Sequence, residues 1–439
     1  MYVYVSTIDE SFNIKLVKAR QVLDSRGNPT VEVTIHTEGG GVGVAISPSG
    51  ASTGKHEAVE LRDGGKDYGG KGVRRAVDNV NNVIAYALKG MDSRKQREID
   101  LKLVTLDGTP NKARLGGNAI VATSLAVAKA AASTSGVPLY AYIGGVRARK
   151  MPVPLMNIIN GGVHAGNKLD FQEFMIVPGG FSSFSEAVKA SVEVYHSLKK
   201  LLKEKYGPLA INVGDEGGFA PPMSHVKEAL SALVEAIKAA GYTPGNDIAL
   251  ALDVASSQLY DVDKKVYRIE SYELSSDKLL EFYEELVNEY PIVSIEDPFY
   301  EEDYEAFKVL TNRLGNKILI VGDDLFTTNP ERVKRGIETK AANAVLVKVN
   351  QVGTLSEAMD VVRIATENNY KAIISHRSGE SEDTTIADLA VGLETGLIKT
   401  GAPSRGERTV KYNRLLLIES ELEDPLYPGF SVFPRKPSS

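Results

Sequence analysis

The chain contains no cysteine and no tryptophan in 439 residues, and only 6 histidines. Without thiols it has no disulfide, no thiolate metal centre and no cysteine nucleophile. It also lacks a basic excess. The net charge is −6 and no Lys/Arg stripe is interleaved with aromatics, so no field for a nucleic-acid backbone is present. No apolar run is long enough to span a bilayer. Residues 1–10 carry neither the basic flank nor the apolar centre of a secretory signal, so a cytoplasmic location is expected. No G-x-x-x-x-G-K-[ST] occurs, which excludes a P-loop. The composition that remains, 43% hydrophobic and 25% charged, is that of a globular protein. The chain is too long for one ordinary core, so two domains are expected.

What the chain does have is a ladder of short apolar runs, each ending in a polar residue. Ile248–Leu252 stops at Asp253, Ile292–Ile295 at Glu296, and Ile318–Gly322 at Asp323 and Asp324. Ala344–Val347 stops at Lys348, and Ala372–Ser375 at His376 and Arg377. From Glu296 onward the stops recur about every 27 residues, one strand plus one helix plus two loops, the rhythm of a parallel β/α barrel. In such barrels chemistry gathers at the C-terminal strand ends. Before the ladder, residues 14–37 read as strands around the turn Asp24–Pro29, with Val31, Val33 and Ile35 on one face and a third strand at Val42–Ile46. Helical spacing follows over Val73–Ile84 and the alanine-rich Asn118–Ser135. The expected division is an α+β domain over 1–145 and a β/α barrel over 146–439. The tail from Phe433 is expected to fray.

Three carboxylates at one barrel mouth, Asp253, Glu296 and Asp323, repel unless neutralised. A hard divalent cation does this, and an all-oxygen set favours Mg²⁺; the bland alternative is that each acid caps the following helix. Lys348 beside such a metal is expected to have a lowered pKa and to serve as a general base; the alternative is a salt bridge to one of the acids. Arg377 and Ser378 read as an anion site, or Arg377 pairs with Glu380 to tie down a loop. Lys399 adds a rim cation, or is merely solvated. Glu216, bracketed by glycines in Gly214-Asp-Glu-Gly-Gly218, reads either as a buried general acid with a raised pKa or as part of a simple turn. Gln172 and Glu173 place another carboxylate at that level, and His164 follows a Gly-Gly loop. Ser49-Gly-Ala-Ser-Thr-Gly54 suits a lid over an anion, or is a plain surface loop.

In combination these motifs, with Ile295-Glu-Asp-Pro-Phe299, Val321-Gly-Asp-Asp-Leu325, Val345–Thr354 and Ser375-His-Arg-Ser-Gly-Glu380, resemble the enolases from about Ile14 to Phe430. The resemblance implies an N-terminal α+β capping domain on a C-terminal (β/α)8-type barrel that begins β-β-α-α, ββαα(βα)6. It implies a lyase that reversibly dehydrates 2-phospho-D-glycerate to phosphoenolpyruvate, with two Mg²⁺ per site, the second recruited with substrate. Lys348 would take the C2 proton, and Glu216, helped by Glu173, would protonate the departing hydroxide. Asp253, Glu296 and Asp323 would hold the tighter Mg²⁺, and Ser52 would join the second. Lys399 would stabilise the developing charge, Arg377 and Ser378 would hold the phosphate, and Gln172, His164 and His376 would line the pocket. A homodimer or an octamer is implied. The rival expectations are another dehydratase or racemase of the superfamily, or an inactive binding protein on this scaffold.

Overall fold

The computed structural model describes residues 9–50, 54 and 56–436. Three antiparallel strands, β1 (Ile14–Leu23), β2 (Pro29–Thr37) and β3 (Val42–Ile46), open the chain in spatial order β1-β2-β3. Val31, Val33 and Ile35 point to one face, as alternation requires, and are fully buried. That face packs on the helix Gly117–Thr134. Its alanines let the backbones approach closely: a Cβ on Gly43 would stand 2.0 Å from the Ala126 carbonyl oxygen. The helix expected over 73–84 is α-helical over Arg74–Asn79 and opens into a π turn over Val80–Ile84. From that turn Asn81 pairs with both backbone groups of Ala19, at 2.8 and 3.1 Å, and so covers part of the outer edge of β1.

Eight further strands close a barrel. In chain order, β4 (Val153–Asn160), β5 (Glu173–Val177) and β6 (Ala249–Asp253) come first. A small three-stranded sheet, β7 (Tyr260–Asp261), β8 (Val266–Ile269) and β9 (Tyr272–Leu274), interrupts the rhythm and was not anticipated from sequence. Then come β10 (Ile292–Glu296), β11 (Leu319–Gly322), β12 (Ala344–Val347), β13 (Lys371–Ser375) and β14 (Leu397–Lys399). The closed order is β10-β11-β12-β13-β14-β4-β5-β6. β5 runs antiparallel to both neighbours, whereas the remaining neighbours pair in parallel. Between β5 and β6 lie two helices, Phe184–Tyr206 and Val226–Ala239, so the order is ββαα(βα)6. Barrel strands are covered on both faces, which is why they read as unbroken apolar runs.

Local signals end these elements where the side chains can pay for it. Ser183 caps the helix Phe184–Tyr206 by accepting from the Glu186 N–H, and Asn329 caps the helix that begins at Pro330. Phe433, expected to fray, is buried beside Phe430. The N-terminal segment docks on the barrel mouth through a two-way backbone pair between Ser49 and Gly379, 2.8 Å each way. A further bond runs from the Ala58 N–H to the Gln351 carbonyl at 2.7 Å. This docking carries Glu57 to the barrel mouth.

Candidate active site

Register places the acids. Asp253 and Glu296 end adjacent strands and are register partners, and Asp323 follows β11 directly. All three are buried. Lys399 ends β14 and is also buried, so it is no solvated rim lysine. Its Nζ lies 2.9 Å from Asp253 Oδ2, 2.8 Å from Glu296 Oε2 and 3.2 Å from Glu173 Oε1. Burial pulls the Lys399 ammonium down, but Asp253, Glu173 and Glu296 together hold it well above the usual lysine value. Glu296 is pushed well above the carboxylate range by burial and by Asp253.

The residues fit a hard divalent cation. Glu296 Oε1 and Glu173 Oε2 are buried without a hydrogen-bond partner, and the donor set is all oxygen. Among the described residues, the acids whose oxygens converge within 4.8 Å as a set of three are Asp297, Asp323 and Asp324, rather than the expected Asp253, Glu296 and Asp323. Asp297 is partly engaged in positioning. Its carboxylate accepts from the backbone N–H groups of Asp323 at 2.9 Å and Asp324 at 2.7 Å. Ser52, expected on the second metal, lies outside the described residues.

Lys348 follows β12 and pairs with Asp323 Oδ2. The lowering expected for it concerns the site with a divalent cation bound; the protein groups alone act the other way. Burial does pull the ammonium down, but the full charge of Asp323 outweighs it and leaves Lys348 raised. The salt bridge held as the alternative is therefore present. Thr328 keeps this corner in register: its hydroxyl oxygen accepts from the Lys348 N–H at 2.9 Å and its O–H donates to Gln351 Oε1 at 2.7 Å. That turns the Gln351 amide N–H toward Asp323 Oδ1, at 3.0 Å.

On the other side of the cavity stand Glu173, Glu216, His164 and His376. Because β5 runs antiparallel, its first residue, Glu173, lies at the mouth opposite Asp253. Oxygens of Glu173 and Glu216 and a nitrogen of His164 lie within 4.8 Å of one another. Asn157 donates to Glu216 Oε2 at 3.1 Å, and His376 Nε2 is 3.5 Å from the same oxygen. The raised pKa expected for Glu216 is not found. Burial pushes it up, yet His376 and His164 outweigh burial and hold it well below the carboxylate range. Glu173 is the raised acid, through burial and the charge of Glu216. Of the two, Glu173 is thus the acid whose protonated form its surroundings favour.

The anion corner is built across two segments. Arg377 donates to Glu57 Oε2 and to Asn350 Oδ1, both at 3.0 Å. Ser378 Oγ lies 3.2 Å from His164 Nε2. The Arg–Glu pair held as the alternative is therefore present, with Glu57 in place of Glu380. The Glu380 carboxylate accepts from the Arg377 backbone N–H at 3.2 Å and pairs with the buried Lys411 at 2.9 Å. Gln172 Nε2 approaches Asp253 Oδ2 at 3.4 Å. The cavity thus brings together all the expected residues that the structure describes except Glu296, which lies beneath it against Lys399. Sequence reasoning missed Glu57, Gln351 and Asp297 as parts of the site. Glu57 carries no local signal, being one acid in a loop far away in sequence.

Asp324 gives a pH-dependent prediction. Burial and the charge of Asp323 push it up to about 7. An acid raised by folding favours the fold most below its unfolded value near 4, and that advantage is lost as pH rises to about 7. Asp324→Asn is therefore expected to gain on the unmodified chain between pH 5 and pH 8, by on the order of 2–4 kcal/mol. Thermal unfolding in chelator at both pH values checks it; a constant difference between the two proteins would remove Asp324 as the cause.

Comparison with known proteins gives concordant findings. A family model described as "Enolase, N-terminal domain" matches residues 14–143, and one described as "Enolase, C-terminal TIM barrel domain" matches residues 148–434. A protein named enolase from Pyrococcus furiosus is 62% identical over 429 residues, 98% of each chain. One from Thermococcus gammatolerans is 59% identical over the same span and coverage. One from Methanocaldococcus jannaschii is 60% identical over 422 residues, 96% of this chain and 98% of that one.

Proposed function

The chain belongs to the enolase family and is a phosphopyruvate hydratase that interconverts 2-phospho-D-glycerate and phosphoenolpyruvate, and on that premise we propose how its own residues divide the work. Lys348 removes the C2 proton as the neutral amine, a form that a cation held at Asp323 would favour by offsetting the charge that otherwise keeps the ammonium protonated. Asp253, Glu296 and Asp323 would hold Mg²⁺, which would supply positive charge against the negative charge that develops on the substrate. The Lys399 ammonium, already fixed among acids, adds to that field without reorganising. The Glu173–Glu216 pair carries one proton, resting on Glu173, and hands it through Glu216 to the departing C3 hydroxide. Arg377 and Ser378 hold the phosphate. His164, Gln172 and His376 line the pocket.

The observation that carries this reading is the opposition, within one cavity, of Lys348 and the buried pair Glu173 and Glu216. A base and an acid on opposite sides suit removal of H and OH from adjacent carbons. A second Mg²⁺ recruited with substrate, with Ser52 among its ligands, belongs to the same reading by resemblance. So do a cytoplasmic location and a homodimer or octamer. The division at 145/146 is supported by the gap between the two family-model matches. The test is ultraviolet absorbance of the enol phosphate grown from 2-phosphoglycerate. Absorbance is expected to grow with Mg²⁺ and to stop with chelator; growth unaffected by chelator would remove the metal from the reading. Light scattering reporting two or eight chains decides the assembly.

A further inference from the structure

We propose that Arg408, a residue outside the substrate cavity, sets the proton arrangement of His376, holding it as a neutral imidazole with its single proton on Nε2. Arg408 stands in the first turn of the helix Gly406–Glu421 and is fully buried. One terminal nitrogen of its guanidinium is 2.6 Å from His376 Nδ1 and 2.6 Å from the Arg377 carbonyl oxygen. The other is 2.5 Å from the Ser378 carbonyl oxygen and 3.1 Å from that of Asp215. A guanidinium carries only donors and does not give up its proton inside a protein. At 2.6 Å it must therefore face a lone pair on Nδ1, never a second N–H. The ring's one proton then sits on Nε2.

That nitrogen has no hydrogen-bond partner and faces Glu216, 3.5 Å away. The Nε2 proton is thus directed at the acid pair and left free for a ligand. Lys399 and Glu216 are the other charges that act on the ring, besides Arg408 itself. Burial draws His376 down to about 4; Glu216 opposes this and Arg408 reinforces it. The same cation ties the loop after β13 to the turn that carries Glu216, through the three carbonyls. Arg408 is thus a positioning residue that acts through His376.

The kinetic consequence rests on the cavity roles proposed above; the proton arrangement does not. The test is a long-range ¹H–¹⁵N correlation spectrum of the ¹⁵N-histidine-labelled, ligand-free protein, with His376 assigned among the 6 histidines by its loss in a His376→Gln variant. The unmodified chain is expected to show neutral His376 with the proton on Nε2 at pH 7 and still at pH 5. Arg408→Met, with no donor at Nδ1 and only Lys399 left as an opposing cation, is expected to take a second proton between pH 7 and pH 5. Its kcat should fall about 10–100-fold, the usual scale for losing a partner that orients a functional histidine, with KM changed less. An Nδ1–H or doubly protonated ring in the unmodified chain at pH 7 overturns the proposal, and that reading needs no variant to fold. A folded Arg408→Met whose His376 titrates as in the unmodified chain also overturns it. Absence of lyase activity in the unmodified protein would instead strike the residue roles and leave the spectroscopic result standing.

Discussion

Lys348→Ala is expected to lower turnover of 2-phosphoglycerate by about 10²–10⁴-fold, the range contributed by a positioned general base. The effect should fall on the first half of the reaction. Lys348 stands against Asp323 on one side of the cavity, while the only raised acid among Glu173 and Glu216 stands elsewhere on its wall. Exchange of the C2 hydrogen for solvent deuterium therefore separates the two roles. Lys348→Ala is expected to lose both exchange and dehydration. Glu216→Gln, which keeps the shape and the bonding capacity toward Asn157, is expected to lose dehydration while exchange continues. Exchange at the unmodified rate in Lys348→Ala would sink the assignment of the base. Some stability is lost as well, because Asp323 keeps Gln351 as a donor but loses its ion-pair partner.

Lys399→Met should give the largest change in stability. It leaves Asp253, Glu296 and Glu173 buried with no ammonium among them, and removing one partner of a buried ion pair costs about 3–5 kcal/mol. The sign with pH follows from the acids that remain. Glu173 and Glu296 are already raised, so they relieve the repulsion by taking up protons as pH falls. The loss is therefore expected to be greatest at pH 8 in chelator and smaller at pH 5. Saturating Mg²⁺ should shrink it too, since a bound cation stabilises the folded state by mass action and replaces the missing charge. Thermal unfolding of both proteins, at both pH values and with chelator or Mg²⁺, reads all of this. A difference independent of pH and metal would mean that Lys399 contributes packing rather than charge.

Much of the architecture was legible before any coordinates. The helix over 118–135 and the strands over 14–37 and 42–46 are local matters of periodicity and turn residues, and they appear within a residue or two. The strand-end ladder worked because a buried barrel strand is an apolar run that must stop where the mouth begins. The sheet β7–β9 escaped it, because its strands are only 2, 4 and 3 residues long and carry no sustained alternation.

The residue types at the mouth, and hence the chemistry of acids, a lysine base and an anion site, were determined by the sequence alone. Their charge states were not. A pKa depends on which groups face one another across a low-dielectric space, and that is set by strand register and closure. Only the closed barrel puts Asp323 against Lys348, where the carboxylate charge holds the ammonium protonated against the pull of burial. Only the reversed direction of β5 brings Glu173 level with Asp253, close enough to Glu216 to be the acid whose protonated form is favoured. Glu57 and Arg408 reach the Arg377 and His376 corner from segments that are distant in sequence, and no local pattern marks either one. Local sequence selects the functional groups; three-dimensional closure decides which of them carry protons.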